Sequence, residues 1–293
     1  MTTVAFIGLG HMGGGMAANL VKNGIQVRAF DLVADALDKA ATAGCTCCAS
    51  AAEAVTGADA VVTMLPAGKF VADVYHQSVF GTAAKGTLLI DCSTIDVATA
   101  KKLAEEAAAA GYAAVDAPVS GGIGAAQAGT LTFMVGGSDA GFAAAEPILQ
   151  AMGKSVIRAG DHGAGQTAKI CNNMLLGASM VATAEAFLLA QKLGLDPQRF
   201  YDISSVSSGQ NWSMTSYCPL PGVGPDSPAD HDYEGGFAVP LMLKDLRLAA
   251  EAAQTAGQTT PMGAKALALY EELAKGDLGK KDFSAIIQAL ADR

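Results

Sequence analysis

Charge is scarce in this chain of 293 residues: 16% are Asp, Glu, Lys or Arg, and 28 acidic side chains outnumber 19 basic ones. That balance argues against nucleic acid or an anionic membrane as the main partner, since both reward clustered Lys and Arg. An anionic small molecule is still allowed, because one local cation outweighs a distant negative surface under physiological screening. Cys45 and Cys48 are the one pair among the six cysteines at Cys-x-x-Cys spacing, and no second such pair accompanies them. Cys45, Cys47 and Cys48 crowd together with no histidine near them, while Cys92, Cys171 and Cys218 are scattered. Neither a zinc site nor a disulfide framework is expected, and buried reduced thiols are. Long apolar runs are missing as well. Ile170–Ala184 has fifteen uncharged residues, short of the roughly 20 that span a bilayer, and it contains Asn172 and Asn173 between Lys169 and Glu185. It reads as a buried helix. Met1-Thr2-Thr3 offers no basic region ahead of an apolar one, so the expectation is a cytoplasmic protein without membrane attachment.

What is present is apolar: 51% of the residues are hydrophobic, and the length suits two domains. In the first half, short apolar runs recur at intervals of about 20–30 residues with Ala-rich helical sequence between them. They are Val4–Ile7, Val27–Phe30, Ala60–Leu65, Leu88–Ile90 and Ala113–Val115. Continuous rather than alternating apolarity predicts parallel strands covered on both faces by helices. Leu131–Val135 and Ser155–Ile157 read as two further strands, and Ser50-Ala51-Ala52-Glu53 as a capping box. The pattern changes near Asp161. A helix is expected over Gln166–Lys192, another from Asp196-Pro197, and more at Leu241–Ala256, Pro261–Lys275 and Asp282–Ala291. A loop rich in Pro, Gly and Ser separates them from Ser207 to Gly236. The reading is an α/β chain, a Rossmann-type doubly wound sheet over 1–163 followed by an all-α domain over 164–293.

Gly8-Leu9-Gly10-His11-Met12-Gly13 lies between the first strand and a helix. In such a turn the first glycine permits the bend, the second lets backbone approach a pyrophosphate, and the third allows close helix–strand packing. The helix N-terminus then offers N–H groups and a partial positive charge to phosphate. Asp31 stands 18 residues beyond Gly13, at the end of the second strand, where a carboxylate bonds a ribose 2′-hydroxyl and repels a 2′-phosphate. These features predict dinucleotide binding, with NAD rather than NADP. Met12 and Met16 read as core.

Phe6–Gly13, continuing through Met16-Ala17-Ala18-Asn19-Leu20, resembles the N-terminal signature of the β-hydroxyacid dehydrogenases. Further matches are Met64-Leu65-Pro66, Asp91-Cys92-Ser93-Thr94, Asp116–Gly122 and Gly165–Lys169 with Asn172-Asn173. The resemblance extends over essentially the whole chain. Cys218–Val223, Gly235-Gly236-Phe237, Leu243–Leu246 and Lys280–Ser284 are most similar to the members that oxidise 3-hydroxyisobutyrate to methylmalonate semialdehyde in valine degradation. Members acting on serine or tartronate semialdehyde are the alternative. A non-catalytic dinucleotide sensor would keep the glycine turn and have no need of Lys169 with Asn173.

The resemblance implies roles. Lys169 would take the hydroxyl proton and Asn173 hold the substrate oxygen; four residues apart, they share a helix face. A lysine serves as base near neutral pH only where desolvation or a neighbouring cation lowers its pKa, and Ala168, Ile170 and Cys171 are the expected apolar setting. Ser120, Gly121 and Gly122 would bind the substrate carboxylate. Gly8, Leu9, Gly10, His11, Met12, Gly13, Asp31, Leu65, Pro66, Thr94 and Lys244 would contact the cofactor. Phe70 departs from relatives that carry asparagine there. None of His11, His76, His162 or His231 is a patterned catalyst, so a His–Asp dyad or zinc-dependent dehydrogenase is disfavoured and no metal is expected. Trp212 could wall a site. The long helical half predicts a homodimer or homotetramer.

Overall fold

The structure, a computed structural model, describes residues 2–291 and comprises two compact units divided between Lys169 and Ile170. The first is built on strands β1 (Thr3–Ile7), β2 (Gln26–Phe30), β3 (Thr46–Cys47), β4 (Ala60–Thr63), β5 (Leu88–Asp91), β6 (Ala113–Asp116), β7 (Val119–Ser120), β8 (Leu131–Gly136) and β9 (Gly153–Gly160). They form one sheet in the order β3-β2-β1-β4-β5-β6-β8-β7, with β9 paired to β8. The stretch from β3 to β6 is parallel throughout, as the continuous apolar runs predict. Beyond it, β8 runs antiparallel to β6 and β7, and β9 parallel to β8.

Helices α1 (Gly13–Lys22), α2 (Ala34–Thr42), α3 (Ala51–Val55), α4 (Gly68–Val74), α5 (Val97–Ala109), α6 (Gly122–Ala128) and α7 (Asp139–Gln150) complete this unit. Alternate residues of each central strand feed separate cores. Val4, Phe6, Val62 and Ile90 join Met16 and Leu20 of α1, while Ala5, Ile7, Val61 and Leu89 join Val71 and Leu103 on the other face. Phe6, Met16, Leu20 and Phe133 are wholly inaccessible, each contributing about 1.5–3 kcal/mol by burial.

Some features of this unit depart from the sequence reading in detail. The strand expected to run to Leu65 ends at Thr63, because the Leu65 N–H turns away to the Ser93 hydroxyl (2.8 Å). At α3, Ser50 accepts from the Glu53 N–H as expected, but the Glu53 carboxylate reaches back to Ala49 N rather than to the cap residue.

The long helix α8 (Ala164–Lys192) crosses the division, and α9 (Pro197–Ser204), α10 (Trp212–Thr215), α11 (Val239–Ala256), α12 (Pro261–Leu273) and α13 (Ile286–Ala291) follow it. Asp196 caps α9 through the Arg199 N–H (3.0 Å). The second core gathers Phe187, Met242, Tyr270 and Phe283. By length and composition α8 could cross a membrane; its buried Gln166 and Asn173 nevertheless find protein partners, as a core helix requires. The segment Ser207–Gly236, expected as a loop, contains α10 and a 3-10 turn at Pro228–His231 capped by Ser227. Buried Asp282 pins it, accepting from Tyr217 Oη (2.8 Å) and Phe237 N (2.7 Å). The six cysteines are free thiols; burial pushes Cys45 and Cys218 each up to about 11.

Candidate active site

In the first unit the expected residues gather at the C-terminal ends of strands, where an open α/β sheet binds ligands. Gly8 follows β1 at φ +98°, and a Cβ there would stand 2.4 Å from the Met64 carbonyl oxygen. A Cβ on Gly13 would lie 1.9 Å from the Gly8 carbonyl, so this helix start can pack only as glycine. Gly10 is different: nothing lies within 4 Å of its would-be Cβ, and the residue is exposed. No side chain caps α1, and its first turn holds no acidic residue. The turn therefore presents open backbone and an uncapped helix start, which is what a pyrophosphate needs.

Asp31, just past β2, braces this turn by accepting from Leu9 N (2.6 Å) and Val33 N (2.9 Å). Each carboxylate oxygen retains capacity for a further donor such as a ribose hydroxyl. Arg28 points elsewhere, donating to the Ala54 carbonyl (3.1 Å) and the Glu53 carbonyl at the end of α3. His11 is exposed, Met12 packs against the core and Met16 is within it.

Leu65 and exposed Pro66 follow β4, and half-buried Thr94 follows β5. Ser120 ends β7, and Gly121 (φ +134°) and Gly122 (φ +71°) take backbone conformations that favour glycine. A Cβ on Gly121 would meet Ala125 at 2.6 Å, whereas the corresponding space at Gly122 is open. Helix α6 begins here and packs tightly on α1: a Cβ at Gly15 would touch the Ala126 carbonyl at 2.9 Å, and Asn19 donates to that oxygen (2.8 Å). Asn19 thus ties the glycine turn's helix to the Ser120–Gly122 segment.

Lys169 lies on α8 and is only 8% exposed. Ile170 is buried beside it, but Cys171 is exposed, which removes it from the expected apolar setting. In the second unit Asn173 is 2% exposed and donates to Asp245 Oδ2 (2.5 Å), while Asn172 donates to Asn173 Oδ1 (3.0 Å). Gly177 lets α8 approach Met242 and Leu246 of α11, the helix that brings Asp245 to Asn173. Lys244 Nζ stands 3.3 Å from Asp245 Oδ1. Asp245 was legible only as part of a motif; its partnership with Asn173, 72 residues away, was not.

Residues 3–160 match the family described as the NAD binding domain of 6-phosphogluconate dehydrogenase. Residues 163–290 match the NAD-binding domain of NADP-dependent 3-hydroxyisobutyrate dehydrogenase. A 3-hydroxyisobutyrate dehydrogenase of Pseudomonas aeruginosa is 50% identical over 98% of this chain and 97% of its own length. The chain belongs to the 3-hydroxyisobutyrate dehydrogenase family. An NAD-dependent L-serine dehydrogenase of the same organism is 48% identical over 100% of this chain and 98% of its own. The solved Mycobacterium tuberculosis 3-hydroxyisobutyrate dehydrogenase with L-serine superposes with a TM-score of 0.94 at 46% identity, covering 99% of both chains. As a 3-hydroxyisobutyrate dehydrogenase relative, the chain is an NAD-binding oxidoreductase with β-hydroxyacid dehydrogenase activity, on the Rossmann-type plus all-helical fold read from its sequence.

Proposed function

We propose that the protein oxidises 3-hydroxyisobutyrate to methylmalonate semialdehyde, the valine-degradation step, with Lys169 as general base. Bound NAD supplies the acceptor for the hydride that leaves the alcohol carbon. Lys169 takes the hydroxyl proton at Nζ, and its near-complete burial is the observation that carries this assignment. An amine held out of water favours its neutral, proton-accepting form. Asn173, held by Asp245, presents an oriented amide to the substrate oxygen. The Ser120 hydroxyl and the Gly121 and Gly122 N–H groups take the carboxylate, in a segment whose glycine conformations expose backbone. Lys244 serves the cofactor from α11. L-serine is the second reading, favoured by the 48% identical relative and by the L-serine in the solved neighbour. A homodimer or homotetramer is supported by α8, whose Leu175 and Leu189 lie on one face and are 66% and 60% exposed, with Leu193 just past the helix end 77% exposed.

Esterifying or amidating the substrate tests the carboxylate assignment. Losing a charge-assisted hydrogen-bond partner costs about 1.5–3 kcal/mol, so kcat/KM should fall roughly ten- to a hundredfold. An ester oxidised as well as the acid would place the anchor elsewhere.

Cofactor choice rests on Asp31. Asp31→Ala should weaken NAD binding and narrow its advantage over NADP, read as the ratio of Kd values for the reduced cofactors. Equal use of both cofactors by the unmodified enzyme would remove this role from Asp31.

A further inference from the structure

Beneath the two loops assigned to the cofactor lies a buried polar network that the proposed mechanism does not use. Thr63, Asp91 and Asp116 are in register at the ends of β4, β5 and β6. Asp91 is 6% exposed. Its Oδ1 accepts from Thr63 Oγ1 (2.8 Å) and Ser93 N (3.1 Å), and its carboxylate is also hydrogen-bonded by the Ser93 side chain. With its proton directed to Asp91, the Ser93 hydroxyl offers a lone pair to the Leu65 N–H (2.8 Å). The Ser93 carbonyl accepts from Gln166 Nε2 (2.7 Å), and Gln166 Oε1 accepts from Ile95 N (3.1 Å). Gln166 is inaccessible and sits in the first turns of α8; its own N–H donates to Asp116 Oδ2 (2.9 Å), while Gly163 N donates to Oδ1 (2.7 Å).

We infer that Asp91 is a positioning residue: through Ser93 it fixes the Leu65 and Thr94 backbones against the cofactor, and through Gln166 the same strand end fixes the start of the helix carrying Lys169. The inference rests on the reading that Leu65, Pro66 and Thr94 contact NAD.

The energetics favour a functional role over a structural one. Asp91 Oδ2 has no hydrogen-bond partner and borders a cavity of about 20 Å³, room for a single water. The groups facing the carboxyl are Asp116 from β6, the buried Tyr75 phenol from the helical turn after α4, the adjacent Cys92 thiol, and apolar Leu103 and Ala104 of α5. None of these supplies a positive charge. Burial pushes the Asp91 carboxyl up to about 6, and Asp116 adds to the rise. An unfolded aspartate titrates near about 3.9. The folded state therefore holds this proton more tightly: the stabilisation is complete below about pH 4 and is lost as pH rises through about 6. At alkaline pH the ionised group opposes folding, and what it does there is hold Thr63 and Ser93.

Asp91→Asn keeps an acceptor at Oδ1 and removes the charge. In the apo variant, the melting temperature at about pH 8 should be no lower than in the unmodified protein. NADH affinity, by fluorescence titration, should nevertheless fall about three- to tenfold, the worth of one weakened hydrogen-bond relay. In the unmodified protein NADH binding should weaken as pH falls through about 6, and in the Asn variant that dependence should vanish. Ser93→Ala should weaken binding similarly, with the double variant no worse than either, as members of one relay behave. An Asn variant with unchanged NADH affinity and unchanged pH dependence would overturn the inference, as would a loss of affinity that merely tracks a fall in melting temperature. Asp31→Ala is the control: if it too leaves NADH binding untouched, the cofactor reading has failed rather than the role of Asp91.

Discussion

Lys169→Ala is expected to bind NADH as the unmodified enzyme does and to lose kcat by about 10²–10⁴-fold, the range of general acid–base catalysis. Binding should survive because the glycine turn, Asp31 and the strand-end loops are left untouched by the change. Lys169→Arg should be nearly as inactive, since a guanidinium stays protonated and cannot accept the hydroxyl proton. The arginine variant separates a base from a fixed positive charge, which either residue would supply. In the unmodified enzyme, oxidation should accelerate with pH as the amine loses its proton, and in both variants that limb should disappear. Near-normal kcat in the arginine variant, with the same pH profile, would take the base role from Lys169.

Gly10→Ala and Gly13→Ala should fail in different ways. The space around Gly10 is open, so its methyl group has no protein atom to strike, and the apo fold should melt normally. The methyl would instead occupy the face on which a pyrophosphate approaches backbone, and NADH affinity should drop by at least about tenfold, the scale of one lost charge-assisted hydrogen bond. At Gly13 the methyl would sit 1.9 Å from the Gly8 carbonyl, a backbone atom with no freedom to retreat. That variant should lose stability by several degrees of melting temperature as well as cofactor binding. Equal melting temperatures for the two variants would contradict the division of labour between these glycines.

The sequence made the scaffold and the cofactor turn legible for local reasons. Val4–Ile7, Ala60–Thr63 and Leu88–Ile90 are continuous apolar runs because both faces of their sheet are covered, and that pattern survives in one dimension. Gly8 and Gly13 mark steric needs of the turn itself, and Asp196-Pro197 announces a helix start by its own cap. Strands β3 and β7 escaped because two residues carry no periodicity. The polar partnerships escaped for a different reason. Gln166 reaches Ser93 across 73 positions, and Asp245 reaches Asn173 across 72, so nothing in a local window marks either pair. Each was visible as part of a motif, but its purpose depends on which distant element the fold sets beside it. The change of pattern near Asp161 marks where strands stop, while the compact units divide inside α8, where an uninterrupted helical pattern gives no signal.

The most direct measurement is kcat/KM for 3-hydroxyisobutyrate and for L-serine, each with NAD and with NADP. Both substrates offer a carboxylate to Ser120–Gly122 and a hydroxyl to Lys169, and they differ at C2, methyl against amino. The account predicts that 3-hydroxyisobutyrate with NAD gives the highest value of the four. L-serine oxidised equally well or better would contradict the substrate assignment, and a preference for NADP would contradict the role given to Asp31.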